Sequence, residues 1–205
     1  HDLAKRYLEN NQPSWIVGQC ERIDETDLML GLHDVDQPAS LLNFLMHNDG
    51  SLPRSSSFWS KSLFSKFGKF DDQLLFAFDY EFCCRLLTDN QSPLIVPHVL
   101  SSHREHPGNK SAHDTLQVGQ EFILAAERYA NHLPVNQRYQ LWRNCDLRRR
   151  IYTLAAAELY ADEARHLLWQ QLLRHPWWIT DDTYRHVLVH GVSHPLPPDM
   201  TKKAA

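Results

Sequence analysis

The feature that most narrows the fold is a change of pattern near residue 114. Upstream, apolar runs of strand length alternate with helical stretches and turn-rich connections; downstream, apolar residues recur only at helical spacing. Strands interleaved with helices and then a run of helices predict an α/β unit followed by an all-helical region. The boundary falls near His113, which divides the chain into residues 1–113, a helical extension at 114–191 and a proline-rich tail at 192–205 that reads as disordered.

In the first region, Leu3, Tyr7 and Leu8 mark a helix over 2–10 that stops before Pro13, and SWIVGQC at 14–20 reads as a strand with Trp15, Ile16 and Val17 buried. Residues 21–37 are acidic and turn-rich, a surface loop or ragged hairpin. A short helix at 39–47 and a loop at 48–53 containing Asp49-Gly50 come next. A strand through Ser57, Phe58 and Trp59 leads to a helix from Ser60 to Phe67 that Gly68 ends, and a further helix begins near Asp79. LIVPHVL at 94–100 is a strand in which Pro97 marks an edge or a bulge.

In the second region, Phe122, Ile123, Ala126 and Tyr129 mark one helix, and Tyr139 to Leu159 a longer one or a pair. Ala164 to Leu172 gives a helix halted by Pro176, and Tyr184 to Leu188 one closed by Gly191. The pairs at 151–174 and 178–190 have the look of a repeat, but a solenoid needs at least about three units. Trp177-Trp178 reads as a helix-packing pair in preference to a sugar platform.

Composition excludes several classes. A net charge of −4 argues against a nucleic-acid binder, which needs a strongly basic surface. No apolar run reaches the roughly 18–20 residues that cross a bilayer. The N-terminus lacks the basic start and apolar segment of a secretory signal, and without an initiator Met the chain reads as a fragment. The four cysteines, Cys20, Cys83, Cys84 and Cys145, have no C-x-x-C spacing, so the expected setting is a reducing cytoplasm. Arg143 with Arg148, Arg149 and Arg150 reads as a solvated surface or as a contact with anionic lipid.

The order of motifs between residues 52 and 111 carries more. LPRSSSFWSKSLFSKFGKFDDQL at 52–74 contains a small-residue run, an aromatic pair and a G-x-F-D turn at Gly68 to Asp71. FDYEFCCRLL at 78–87 opens a helix on Asp79, with Glu81 and Arg85 following, and SSHREHPGNKS at 101–111 contains Arg104-x-His106. In this order the chain resembles the acceptor-side half of a family 2 glycosyltransferase. Residues 2–24 match more loosely, as the helix and strand that follow the family's D-x-D motif.

The resemblance implies an α/β fold: a partial GT-A, Rossmann-like mixed sheet lacking its N-terminal nucleotide-binding half, followed by helices. It implies an inverting transfer of a sugar from a nucleotide-sugar donor to a saccharide or lipid-linked acceptor. Cell-surface polysaccharide assembly in the cytoplasm, with peripheral association at the inner face of the membrane, is the implied setting. The chain departs from the family pattern where Phe78 replaces the usual Glu before Asp79 and where no D-x-D strand precedes residue 14. This stretch alone is therefore expected to be inactive.

By resemblance, Asp79 is the catalytic base, Arg104 binds the donor pyrophosphate, His106 is a ligand of a divalent Mn²⁺ or Mg²⁺ ion, and Ser57, Phe58 and Glu81 contact the acceptor. A carboxylate suits the base role because it is ionised at neutral pH, and a positioned base supplies about 10²–10⁴ in rate. Asp79 also sits where a helix N-cap belongs, a role worth about 1 kcal/mol, and His106 also reads as a surface loop histidine. The spacing of His98, His103, His106 and His113 matches no structural-zinc pattern. Ser55 to Ser57 lack a nucleophile elbow. The rival classes are a noncatalytic helical interaction module carried on an α/β remnant, and a helical-repeat scaffold.

Overall fold

The structure, a computed structural model, describes residues 13–35, 40–46, 52–106, 108–109, 114–159 and 164–191. The apolar run at Trp15 to Val17 nucleates a four-stranded mixed sheet built on β1 (Trp15–Ile23). β4 (Leu94–Arg104) runs parallel to β1 along nearly its whole length, from Ile16↔Leu94 to Ile23↔Arg104. A strand has two edges, so the antiparallel partners β3 (Ser57–Trp59) and β2 (Met29–His33) follow one another along the other edge, at residues 15–17 and 20–23 of β1. The ragged hairpin expected after residue 20 is β1–β2, and its turn is closed by Asp24 Oδ1, which accepts from Thr26 N and Leu28 N at 2.8 and 2.9 Å.

Pro97 is both at an edge and in a bulge. The register passes from Gly18↔Val96 to Gln19↔Val99, so Pro97 and His98 are extra residues in β4, and among the described residues β4 pairs only with β1. Proline is tolerated there because no ladder hydrogen bond is required of it. The bulge presses on β1: a Cβ on Gly18 would lie 2.4 Å from Leu100 Cγ and 2.7 Å from the His98 carbonyl oxygen, so only glycine fits.

The helices are α1 (Leu41–Met46), α2 (Lys61–Phe67), α3 (Phe78–Thr88), α4 (Thr115–Arg128), α5 (Val135–Leu159), α6 (Ala164–Arg174) and α7 (Asp182–His190). Gly68 (φ +84°) ends α2 and Gly191 (φ +78°) ends α7, the left-handed stops that these glycines predict. The expected helix at 2–10, the Asp49-Gly50 loop, the boundary residue His113 and the tail from Val192 lie outside the described residues. A mixed sheet within residues 15–104 removes the helical-repeat scaffold from consideration.

One core joins the sheet to the helices. Trp15, Val17, Phe44, Leu45, Tyr80, Phe82 and Leu86 pack with Phe122, Ile123, Leu141 and Cys145, so the packing runs across residue 113 without a break. The C-terminal half of α5 supplies Leu154 and Ala157 to a second cluster with Leu168, Leu172, Trp178, Tyr184 and Leu188. Asp146 ties the two together, because its Oδ1 accepts from both Trp177 Nε1 (3.1 Å) and Trp178 Nε1 (2.9 Å). All four cysteines are buried and unpaired.

Three of the four clustered arginines are built into the fold, whereas Arg143 stays exposed, as the solvated-surface reading expects. Arg148 is buried and donates to the Leu45 carbonyl at the end of α1 (3.0 Å), Arg149 pairs with Glu127 and Arg150 with Asp181 (3.1 Å). Among the described residues no helix is long and apolar enough to cross a membrane. The expected association with the inner face of a membrane is corrected on that finding, and the lipid contact suggested for Arg148, Arg149 and Arg150 is corrected by the partners that already hold them.

α4 and α5 are in tight contact at Gly119, where an added Cβ would lie 2.2 Å from Tyr152 Cγ. Alanine there gains about 1 kcal/mol of helix propensity, yet the overlap forces the two helices apart. We expect Gly119→Ala to lower stability by about 1–3 kcal/mol in equilibrium urea unfolding. A variant more stable than the native chain would show that the crossing has room to spare.

Candidate active site

Asp79 is the second residue of α3, and the way that helix is fixed decides where its carboxylate goes. Tyr80 is fully buried, stacked on Phe44 with ring centroids 5.2 Å apart, and its hydroxyl donates to the Leu45 carbonyl at 3.2 Å. Successive helical residues lie about 100° apart, so a core-facing Tyr80 turns Asp79 out of the core. The carboxylate retains about a quarter of its exposure, its Oδ1 accepting from Tyr80 N (2.7 Å) and pairing with Arg54 Nε (3.0 Å).

Asp79 does not cap its helix, which corrects one of the two sequence readings. The N-cap residue is Ala77, and the cap is supplied from α4: Glu121 accepts from Phe76 N at 2.6 Å and Ala77 N at 3.2 Å. Burial acts to raise the Glu121 pKa, but the backbone amides outweigh it and hold the carboxyl below its usual range. A negative charge at this helix terminus is favoured by the dipole as well.

The carboxylate of Asp79 lines a cavity of about 700 Å³. Its floor is one face of the sheet. Register places His33 and Ser101 opposite Cys20, and His103 opposite Arg22, so Cys20, Arg22, His33 and His103 point to one side, and all four line the cavity. Glu105, just past the end of β4, joins them and accepts from Arg22 at 2.5 and 3.1 Å. That pairing lowers the Glu105 pKa and raises that of Arg22.

One wall is the turn at Pro53 to Ser55, with Arg54 also 5.0 Å from the Phe122 ring centroid. Another is aromatic: Phe70 stands edge-on to Trp59 at 5.8 Å and to Phe78 at 5.3 Å. The G-x-F-D turn thus puts its Phe into the wall, while its Asp71 is occupied by Arg128, which holds the carboxyl below its usual range. The arrangement offers a carboxylate, a flat apolar surface and several polar donors around one volume, the pattern of a small-molecule site.

The other expected site residues fare differently. Glu81 is 4% exposed and bound internally to Arg85 and Tyr129, with Arg85 also donating to the Phe67 (2.7 Å) and Lys69 (3.0 Å) carbonyls. This network fastens the 67–69 turn to α3, so Glu81 is corrected from acceptor contact to internal brace. Ser57 is buried and donates to the Pro53 carbonyl (3.2 Å), and Phe58 points from the other side of β3. Neither is among the described residues lining the cavity; Trp59 takes the place expected of Phe58.

Arg104 also stands elsewhere. It pairs with Ile23, one position out of phase with the floor residues, so it leaves the opposite sheet face and binds the Asp24 carbonyl (2.8 Å) and Asp27 (2.6 Å). Arg104 is therefore not among the described residues that line this cavity. His106 is exposed on a turn closed by Asn109 N donating to its carbonyl at 3.0 Å. Among the described residues no group of three or more His, Cys, Asp or Glu is placed to hold a metal ion, and none is gathered around His106.

Arg22, His33, Arg54 and Glu105 line the cavity without having been named from the sequence, and Trp59, Phe70 and His103 line it without having been given a site role there. For His103 and Glu105 the signal was strand parity. Given Ser101 on the inner face, residues 103 and 105 follow it at the period of two, and 104 does not. Comparison with protein-family models, with curated proteins and with solved structures returns no match.

The Glu121 cap carries a pH dependence. A carboxyl whose pKa is lowered by folding adds stability above the unfolded value of about 4.3 and loses it as pH falls through the folded value. The stability gap between the native chain and Glu121→Gln should therefore be widest at neutral pH and close below about pH 4.3. Urea unfolding from pH 3 to 7 measures this; a gap independent of pH would mean that the cap works without its charge.

Proposed function

We propose that the chain is the acceptor-side half of an inverting, nucleotide-sugar-dependent glycosyltransferase with a GT-A-type sheet, similar to family 2, and that its acceptor is a saccharide or a lipid-linked saccharide. One observation carries the proposal: the carboxylate of Asp79 lines a cavity together with Trp59, Phe70 and Phe78. Two sequence segments that looked like parts of one family motif set, 52–74 and 78–87, thus contribute to one volume, and His103 and Glu105 join them from the third. A pyranose ring presents C–H faces that pack on aromatic rings and hydroxyls that bond to carboxylate, guanidinium and imidazole. The cavity supplies each of these groups.

In this reading the acceptor sugar packs on the aromatic wall and directs one hydroxyl at Asp79. The contacts from Arg54 and Tyr80 both fall on Oδ1, and Oδ2 is the oxygen proposed to take the proton. As the acceptor oxygen bonds to the anomeric carbon of the donor from one face, the bond to the nucleoside diphosphate breaks on the other, which inverts the configuration. Asp79 draws off the proton as the new bond forms and keeps the alkoxide from having to exist free. Arg54 is a positioning residue that holds the carboxylate in line.

Arg104 and Glu81 are left out of the proposal because the fold employs both elsewhere. The divalent Mn²⁺ or Mg²⁺ ion belongs to the intact enzyme in this reading, and no described residue is assigned to hold it.

The test is turnover by the protein as encoded, with panels of nucleotide-sugar donors and saccharide acceptors. Asp79→Asn should lower kcat by at least about 10² with the fold intact. Trp59→Ala should act mainly on the KM of the acceptor. Near-native turnover by Asp79→Asn would remove that carboxylate from the chemistry.

A further inference from the structure

A second cleft lies on the helical side of the molecule, and we propose that it binds an acidic oligosaccharide strand. The proposal rests on the transferase reading, since it gives that enzyme a separate grip on a glycan. The cleft measures about 640 Å³ and is lined along α5 by Tyr139, Trp142, Arg143, Asp146 and Arg150, and across from them by Trp177. The aromatic rings stand in file: Tyr139 and Trp142 are stacked with centroids 5.9 Å apart, and Trp142 and Trp177 lie 6.2 Å apart. They are 61%, 46% and 45% exposed, which is unusual for three neighbouring large aromatic residues.

The Trp177-Trp178 pair divides between two roles. Trp178 is fully buried in the second core, as its helix-packing reading predicts, while Trp177 faces the cleft. Trp177 is held in that attitude by a hydrogen bond from its Nε1 to the buried Asp146, so its ring is fixed before any ligand arrives. Pre-set aromatic rings spare a ligand the cost of ordering them.

Chemistry selects a glycan over a protein segment. Apart from Met46 and Leu147, the lining is aromatic or polar, with Gln140 and Asn144 supplying amides. An aliphatic-rich groove would suit an apolar helix, whereas alternating flat faces and hydrogen-bonding groups suit linked pyranose rings.

Charge selects an acidic one. The lining holds two arginines against one aspartate; the aspartate is bonded to both indoles, and Arg150 pairs with Asp181. Arg143 is exposed and enters no ion pair among the described residues. Its planar guanidinium matches a sugar carboxylate or phosphate in a two-point contact.

Isothermal titration of the full chain tests this, with three probes: a hexamer of 1,4-linked galacturonate, uncharged maltohexaose and hexaglutamate. We expect the galacturonate hexamer to bind at least about tenfold more tightly than maltohexaose. Trp142→Ala should weaken it by at least about tenfold, Trp142→Phe should retain most of the affinity, and Arg143→Ala should abolish the preference for the acidic sugar. Circular dichroism checks that each variant folds.

The site is overturned if neither saccharide binds, if Trp142→Ala binds unchanged, or if hexaglutamate binds as well as the galacturonate, which would make the cleft a plain anion patch. Asp79→Asn should leave binding intact. Loss of turnover in that variant with no saccharide bound here would remove this site and leave the transferase reading standing. Binding here in a protein inactive with every donor would remove the transferase reading alone.

Discussion

A carboxylate from one half of the chain holds the helix on which the candidate chemistry of the other half depends. Glu121, on α4, accepts from the backbone amides that precede α3. A buried carboxylate costs several kcal/mol unless it is compensated, and the free amides at a helix start are costly when buried unbonded. Each group answers the other's need. The consequence is geometric: the start of α3, and with it the carboxylate of Asp79, is held in part by a residue 42 positions further on. The helical region therefore does more than extend the α/β part, since it completes that part's core and sets its site.

Much of the fold could be read from the sequence because local signals and tertiary packing agree. Gly68 and Gly191 stop helices by adopting positive φ, Pro97 sits in a bulge, and β3 occupies the three residues where its strand was expected. These are decisions made within a few residues of chain. The sheet's connectivity was not legible, because the same strand set could pair in several orders and the parallel pairing of β4 with β1 joins residues far apart in sequence. Arg148 misled for the same reason. An arginine in a basic run reads as surface, and nothing local reveals that its guanidinium reaches a carbonyl 103 residues away.

The candidate site was legible at one residue and out of phase at others. Asp79 was taken from the resemblance, through its place in the order of motifs between residues 52 and 111; within its own segment, an acidic residue at a helix start reads first as an N-cap. Arg104 and His106 came from the same resemblance, and a motif does not tell which face of a strand a residue takes. One step along β4 separates His103 and Glu105, on the cavity side, from Arg104, which bonds the hairpin turn instead. Glu81 failed for a different reason: its i,i+4 partner Arg85 and the hydroxyl of Tyr129 consume it in bracing the Gly68 turn.

The aromatic residues show the same division between what a segment dictates and what the assembly decides. Phe64, Phe70 and Phe82 form a tight set with centroids 4.8–5.3 Å apart, and its edge is where Phe70 meets Trp59 and Phe78 at the cavity. The wall is therefore rigid, since moving one ring disturbs a close-packed cluster. On the helical side, Trp177 is fixed by Asp146, and Trp178 anchors the same turn in the second core. In both places an exposed ring is braced by a buried neighbour, which keeps an apolar face presented to solvent in one orientation. Rings left on the surface only for want of polar cover would need no such bracing, and that difference is the physical argument for treating both surfaces as built to receive a ligand.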